Sequence, residues 1–410
     1  MRIPGSKSHT IRAVVIASLA DGESHIRGPL AAADTLAAVN ACRLFGAEIE
    51  DRGDWTVRGI AGRPRVPDNV IDVGNSGTTL YIALGTACLV DGVSVFTGDE
   101  QIRRRPAQPL IDALNDLGAS VESTRANGRA PVIVRGPMRG GSVNLDGSKT
   151  SQFLTSLLVN CPLAPEDTKI EVSNLIERPY VEMTLQWLED CGIALIREGL
   201  TRISIPGGQC YKAFDRAIPA DFSSATFFMC AAAVTGSDIT LQGLDMNDTQ
   251  GDRAVAEMLG HMGANVRTVD GGIRVTGGSL HGAEFDLADT PDALPAMAVT
   301  ACFADGETRL VNVAQARLKE TDRITAVREE LGGMGADIDE LPDGLVIRGR
   351  PLRGAAVSGR QDHRIIMALA IAGLAAEGET TIHEAEALDV TFPTFVELMQ
   401  SAGARMEAAG

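Results

Sequence analysis

One tag recurs six times along this chain and constrains its fold more than any other feature. It consists of an amphipathic run, a glycine followed by a small or apolar residue, a short alternating segment, a turn, and a second alternating segment. The copies are LFGAEIEDRGDWTVRGI, DLGASVESTRANGRAPVIVRG, DCGIALIREGLTRISIPGG, HMGANVRTVDGGIRVTGG, GMGADIDELPDGLVIRG and a curtailed SAGARMEAAG. Their glycines are Gly46, Gly118, Gly192, Gly263, Gly335 and Gly403, spaced 72, 74, 71, 72 and 68 residues apart. Even spacing of one pattern over a whole chain marks structural repeats.

Each repeat runs in the same order: a helix rich in small residues, a strand such as GSDITLQG or GETRLVNV, a second helix ending at the tagged glycine, and a two-stranded ribbon. Glycine just past a helix supplies the left-handed stop, and DGG or PDG between alternating runs is hairpin chemistry. At 410 residues the chain exceeds what one hydrophobic core serves, so six α/β units predict two domains of three repeats each. Residues 206 to 222, with two prolines, mark the boundary, giving domains 6–219 and 220–410. The sixth repeat stops soon after Gly403 without a return strand. In a closed arrangement residues 1–5 are expected to cross into the C-terminal domain and fill the sixth sheet; with only MRI ahead of the first turn, the alternative is a sixth sheet short by most of a strand.

Composition narrows the partners. A formal charge of -17 and a pI near 4.8 disfavour nucleic acid, whose phosphates need a contiguous basic face. No segment approaches the ~18 uninterrupted apolar residues of a membrane span, and no basic stretch followed by an apolar run opens the chain, so a cytoplasmic location is expected. The seven cysteines are scattered and form no CxxC pair, which reads as reduced apolar filler without a metal or disulfide role.

An anionic ligand would instead need a local basic cleft, and the scarce lysines show where. Only five occur, Lys7, Lys149, Lys169, Lys212 and Lys319. Aligned repeats put helix starts at GSKSHT, GNSGTT, GSKTSQ, ADFSSA, TPDALP and QDHRII, all rich in capping residues. Capping alone explains any one of them; six in equivalent places imply converging positive helix ends. Lys7 and Lys149 fall at first-helix starts, and Lys319 at the expected start of a second helix. Arg103, Arg104 and Arg105 precede a second helix in EQIRRRP, and His363 and Arg364 open the sixth repeat. In LKETDRI, Lys319 and Arg323 are expected on one helical side with Glu320 beside them. Cations gripping phosphate or carboxylate next to a proton-exchanging acid point to small phosphorylated substrates. No Walker loop, dinucleotide fingerprint, HExxH or serine elbow is present, so no metal or nucleotide cofactor is expected.

These strings resemble the 5-enolpyruvylshikimate-3-phosphate synthase family over essentially the whole chain. PGSKSHTIR, GNSGTT, FTGDEQIRRRP, SKTSQFLTSLL, RPYVEMT, IPADFSSA, DTPDALPAMAV, ARLKETDRI, DHRIIMALA and TFPTF occur in family order. The resemblance implies a two-domain inside-out α/β barrel of six βαβαββ repeats with substrates between the domains. It implies transfer of an enolpyruvyl group from phosphoenolpyruvate to the 5-hydroxyl of shikimate 3-phosphate, by addition and elimination through a tetrahedral intermediate. By position, Lys7, Asp292 and Glu320 match the family's catalytic groups, Asp292 as proton acceptor and Glu320 as acid or base at the methylene carbon. Lys7, Ser8, Arg12, Thr150, Ser151, Gln152, Tyr180, Asp292, Gln315 and Lys319 match shikimate 3-phosphate contacts. Lys7, Gly77, Arg105, Gln152, Arg323 and Arg364 match phosphoenolpyruvate contacts. A monomer is expected, since the cleft needs one chain. Gly77 is expected to leave open space that a methyl would crowd, with sensitivity to glyphosate.

Three positions depart from the family pattern. Tyr81 and Val390 stand where some members carry cations, and Glu177 stands where a phosphate-contacting serine is common, a carboxylate expected to repel unless turned away. Two other readings compete. UDP-N-acetylglucosamine enolpyruvyl transferases carry a reactive cysteine in the loop matching TGDEQIRRRPAQ, where this chain has none. A catalytically silent relative binding anionic metabolites is opposed by the retained Lys7, Asp292 and Glu320.

Overall fold

A computed structural model describes residues 1–408; the last two residues of the expected C-terminal domain lie outside the described residues. Contacts divide the chain into two compact units, Lys7–Ile218 and Met1–Ser6 with Pro219–Gly410.

In the first unit the helices Lys7–Leu19, Gly77–Ala87 and Gln152–Asn160 are buried on nearly all sides. Helices apolar all round belong inside a core, and these are wrapped by sheets. Gly85 lets two of them approach closely, because a Cβ there would overlap Asn160 and Ser156. Asn160 Nδ2 donates to the Ile82 carbonyl at 3.1 Å, and Ser156 Oγ to the Tyr81 carbonyl at 2.6 Å. The small-residue run in the sequence is thus a helix–helix contact surface.

The three sheets of this unit share one strand order. Strands 71–72, 93–97, 132–135 and 120–123 lie side by side in that order, the first pair parallel and the rest antiparallel. Strands 141–146, 168–173, 202–205 and 196–198 repeat it. The sheet of the first repeat, 23–27, 55–58 and 48–50, takes its parallel edge from Asp215–Ala217 at the far end of the unit. One strand therefore closes the cycle of three repeats.

The second unit repeats the plan with helices Phe222–Thr235, Leu294–Cys302 and His363–Ala375 inside. Its fifth-repeat sheet orders 284–286, 307–311, 344–348 and 337–341. With Asp215–Ala217 engaged elsewhere, the fourth-repeat sheet, 238–242, 272–276 and 265–269, has a vacant parallel edge. The N-terminus takes it: Ile3 N donates to the Gln242 carbonyl at 3.2 Å, Gln242 N to the Met1 carbonyl at 2.8 Å, and Arg2 bridges Gln242 in parallel. The expectation that the N-terminal strand fills the sixth sheet is corrected on this point. That sheet keeps two strands, 356–358 and 381–383, among the described residues.

All six tagged glycines adopt φ between 84° and 113°, the left-handed region that ends each helix cheaply only for glycine. Ser76, Asp221 and Asp362 cap their helices through side-chain acceptors for Thr79 N, Ser224 N and Arg364 N. No helix among the described residues is long and apolar enough to cross a membrane.

Candidate active site

In the first unit the site residues form a connected polar system at helix starts. Lys7, the first residue of its helix, donates to Asp34 Oδ2 at 3.0 Å. The Asp34 carbonyl accepts from Thr79 Oγ1, one turn past Ser76. Beside it, the absent side chain of Gly77 is where the Arg105 guanidinium lies: a Cβ there would overlap Arg105 Nη1. The open space expected at Gly77 is thus filled by the arginine itself, and glycine is required so that the cation can sit against the helix start.

Arg12 ties its own helix to helices Gln152–Asn160 and Arg178–Asp190. It is 2% exposed, donating from Nε to Thr184 Oγ1 at 2.9 Å, from Nη1 to the Ser8 carbonyl at 3.0 Å, and from Nη2 to the Tyr180 carbonyl at 3.0 Å and Thr155 Oγ1 at 3.3 Å. Burial lowers its pKa to about 10, with the Tyr180 phenol opposing. Thr150, Ser151 and Gln152 form the approach to helix Gln152–Asn160, where Gln152 N donates to Thr150 Oγ1 at 3.2 Å.

Glu177 closes this cluster in a way the sequence did not reveal. It is 2% exposed and sits at φ 52°, ψ 39°, a left-handed backbone immediately before helix Arg178–Asp190, without a side-chain cap bond to it. Its Oε2 accepts from Thr150 Oγ1 at 3.2 Å, Ser151 N at 3.1 Å and Ser151 Oγ at 3.0 Å. The carboxylate is turned toward the expected phosphate donors, the orientation in which it was expected to repel a phosphate. Tyr81, donating to the Pro106 carbonyl at 2.9 Å, has its phenol pushed up to about 12 by burial, pulled back by Arg105 and pushed further by Glu177.

The second unit builds its cluster around Arg323, 1% exposed. Its Nε and Nη2 donate to Asp362 at 2.8 and 3.1 Å, Nη1 to Asp292 at 2.7 Å, and Nη2 to Glu320 at 2.6 Å. Arg364 reaches the other Asp292 oxygen at 2.9 Å. Burial would raise the Asp292 carboxyl, but the charges of Arg364, Lys319 and Arg323 outweigh it and hold the group well below the usual carboxylate range. Asp252, 1% exposed and accepting from Ser223 Oγ, moves the other way: burial and the Asp292 charge raise it to about 6.

Lys319 and Arg323 do not share a helical side. Helix Arg323–Gly333 starts at Arg323 behind the Asp322 cap, and Lys319 follows the 3-10 turn Ala314–Leu318 in extended conformation. Asp322 in this string is a capping residue, and capping ends the pattern the spacing implied. Gln315, 5% exposed, donates to the Ala288 carbonyl at 3.0 Å, tying that turn to the segment before Asp292. Sequence reasoning missed Asp34, Asp252 and Asp362 as partners. Only Asp362 left a signal, as the cap in QDHRI.

Comparison with known proteins agrees with this architecture. The family model described as EPSP synthase (3-phosphoshikimate 1-carboxyvinyltransferase) matches residues 1–399. A relative from Ruminiclostridium cellulolyticum named 3-phosphoshikimate 1-carboxyvinyltransferase is 54% identical, covering 99% of this chain and 96% of its own. One of the same name from Methanocella arvoryzae is 48% identical over 98% of this chain and 96% of its own. The solved EPSP synthase of Acinetobacter baumannii superposes with a TM-score of 0.83 at 31% identity, covering 100% of this chain and 96% of that one. The chain belongs to the EPSP synthase (3-phosphoshikimate 1-carboxyvinyltransferase) family.

Proposed function

We propose that this protein is a 3-phosphoshikimate 1-carboxyvinyltransferase of aromatic biosynthesis, taking shikimate 3-phosphate and phosphoenolpyruvate as substrates. The observation that carries the reading is Asp292, an ionised carboxylate gripped by Arg323 and Arg364 with Glu320 on the same guanidinium.

The acceptor's 5-hydroxyl adds to C2 of phosphoenolpyruvate while C3 gains a proton, giving a tetrahedral adduct. Loss of a C3 proton and of phosphate from C2 then forms the enol ether. Asp292 takes the hydroxyl proton, and Glu320 exchanges the proton at C3. In the free enzyme Asp292 is a weak base because Arg364, Lys319 and Arg323 stabilise its anion. Substrate carboxylate and phosphate groups engaging Lys319 and Arg364 withdraw part of that field, which raises the basicity of Asp292 when it is needed. Lys7, Arg105 and Arg12 supply positive charge to the substrate anions, and preorganised cations of this kind stabilise developing charge without reorganising. Thr150, Ser151, Gln152 and Tyr180 hold the acceptor. One chain carries every one of these groups, which supports a monomer, and the pathway chemistry supports a cytoplasmic enzyme.

The test is phosphate release from phosphoenolpyruvate with shikimate 3-phosphate, and with UDP-N-acetylglucosamine as control acceptor. Release with the former alone is expected. Release with the UDP-sugar, or with neither, overturns the reading.

A further inference from the structure

A single Glu177 oxygen accepts three donors from the Thr150–Ser151 turn, at 3.0 to 3.2 Å. Two hydroxyls and a backbone N–H converging ahead of a helix are an anion cradle, and one oxygen of a phosphate would ask for the same donors. Two anions cannot share it. Glu177 also holds a left-handed backbone that glutamate rarely adopts, so the seat is kept by its surroundings and not by local preference.

We propose that Glu177 is an internal competitor for the acceptor's phosphate. In the free enzyme its carboxylate occupies the Thr150 and Ser151 donors. Shikimate 3-phosphate binds by displacing it, so this residue sets the affinity for the phosphorylated acceptor and lowers it below what the donors alone would give. The inference rests on the functional reading above, since it takes Thr150 and Ser151 as phosphate contacts.

Calorimetric titration of shikimate 3-phosphate, and of shikimate as the acceptor without phosphate, into the intact wild-type, Glu177→Ser and Glu177→Gln proteins tests it. Glu177→Ser should bind shikimate 3-phosphate about tenfold tighter, equivalent to about 1.4 kcal/mol. Glu177→Gln keeps the shape and loses the charge, so it should gain less than Glu177→Ser but in the same direction. Shikimate affinity should stay within about twofold in all three. Equal or weaker binding of shikimate 3-phosphate by both variants, each melting as a folded protein, overturns the inference, as does an equal gain for shikimate. Wild-type protein that neither binds nor turns over shikimate 3-phosphate sinks the functional reading instead; a competent wild type with variants no tighter sinks this inference alone.

Discussion

Replacing Arg323 with lysine keeps the charge but not the fork, and the consequence can be worked from the contacts. Arg323 makes four N–H bonds to three carboxylates, Asp362, Asp292 and Glu320. Asp362 is fully buried, and the Glu320 and Asp292 side chains are 9% and 19% exposed. A lysine ammonium offers three donors from one nitrogen, which cannot span acceptors fanned around a planar guanidinium. At best two of the four bonds survive. Each lost charge-assisted bond is worth roughly 1.5–3 kcal/mol, so losing two should make Arg323→Lys cost about 3–6 kcal/mol, close to the range of about 3–5 kcal/mol seen when a buried ion pair is broken. Urea unfolding followed by circular dichroism reads the loss as a lower midpoint. Turnover should fall with it, because Asp292 and Glu320 lose the group that fixes their separation. A midpoint within about 1 kcal/mol of wild type would mean that Arg323 does not organise these carboxylates, and the reasoning fails.

Other outcomes follow from the same geometry. Lys7→Ala should lower kcat/KM by several kcal/mol of transition-state stabilisation, measured by phosphate release; near-normal turnover would remove Lys7 from the machinery. Gly77→Ala should push Arg105 off the helix start and raise the KM for phosphoenolpyruvate much more than that for shikimate 3-phosphate, whereas equal effects on both would contradict the contact. Asp252→Asn addresses a carboxyl whose folded pKa, about 6, lies above its ordinary 3.8. A raised carboxyl pKa favours the fold below about pH 4, and that contribution is lost as pH rises through 6. The variant should therefore gain up to about 3 kcal/mol relative to wild type at pH 7.5, with the advantage shrinking toward pH 4. A pH-independent difference in thermal melting would refute this.

What could be read from the sequence was what depends on local chemistry. The six glycines had to be left-handed because each follows a helix and precedes a strand, and their φ values agree. The helix starts were legible at Ser76, Asp221 and Asp362 because an oxygen two or three bonds from Cα can reach only nearby N–H groups. What failed needed distant partners. The sheet that receives Met1–Ile3 depends on Asp215–Ala217 being used in another sheet, a fact about pairing across about two hundred residues. Helical spacing in LKETDRI misled because Asp322 caps the helix and excludes Lys319. Glu177 looked repulsive beside an expected phosphate because the alternative, a carboxylate seated on the phosphate donors, exists only in the folded arrangement.

These contacts share a logic that an acidic chain needs if it is to hold anions. Positive groups placed for doubly or triply charged substrates would repel one another and destabilise the fold without counterions. Here Asp34 answers Lys7, Asp292 answers Arg364, and Asp362 with Glu320 and Asp292 answers Arg323. Arg323 is held above its ordinary pKa because its carboxylates overcome the cost of burial, so its charge is permanent. Arg12 is the contrast. Its partners among the described residues are two carbonyls and two hydroxyls, and burial prevails, bringing it down to about 10. A buried cation satisfied in hydrogen bonds but not in charge is the one that gains most when an anion arrives, since the attraction acts in a low dielectric and displaces no internal ion pair. The difference between Arg12 and Arg323 thus separates, within one protein, a buried cation held by neutral oxygens from one held by three carboxylates.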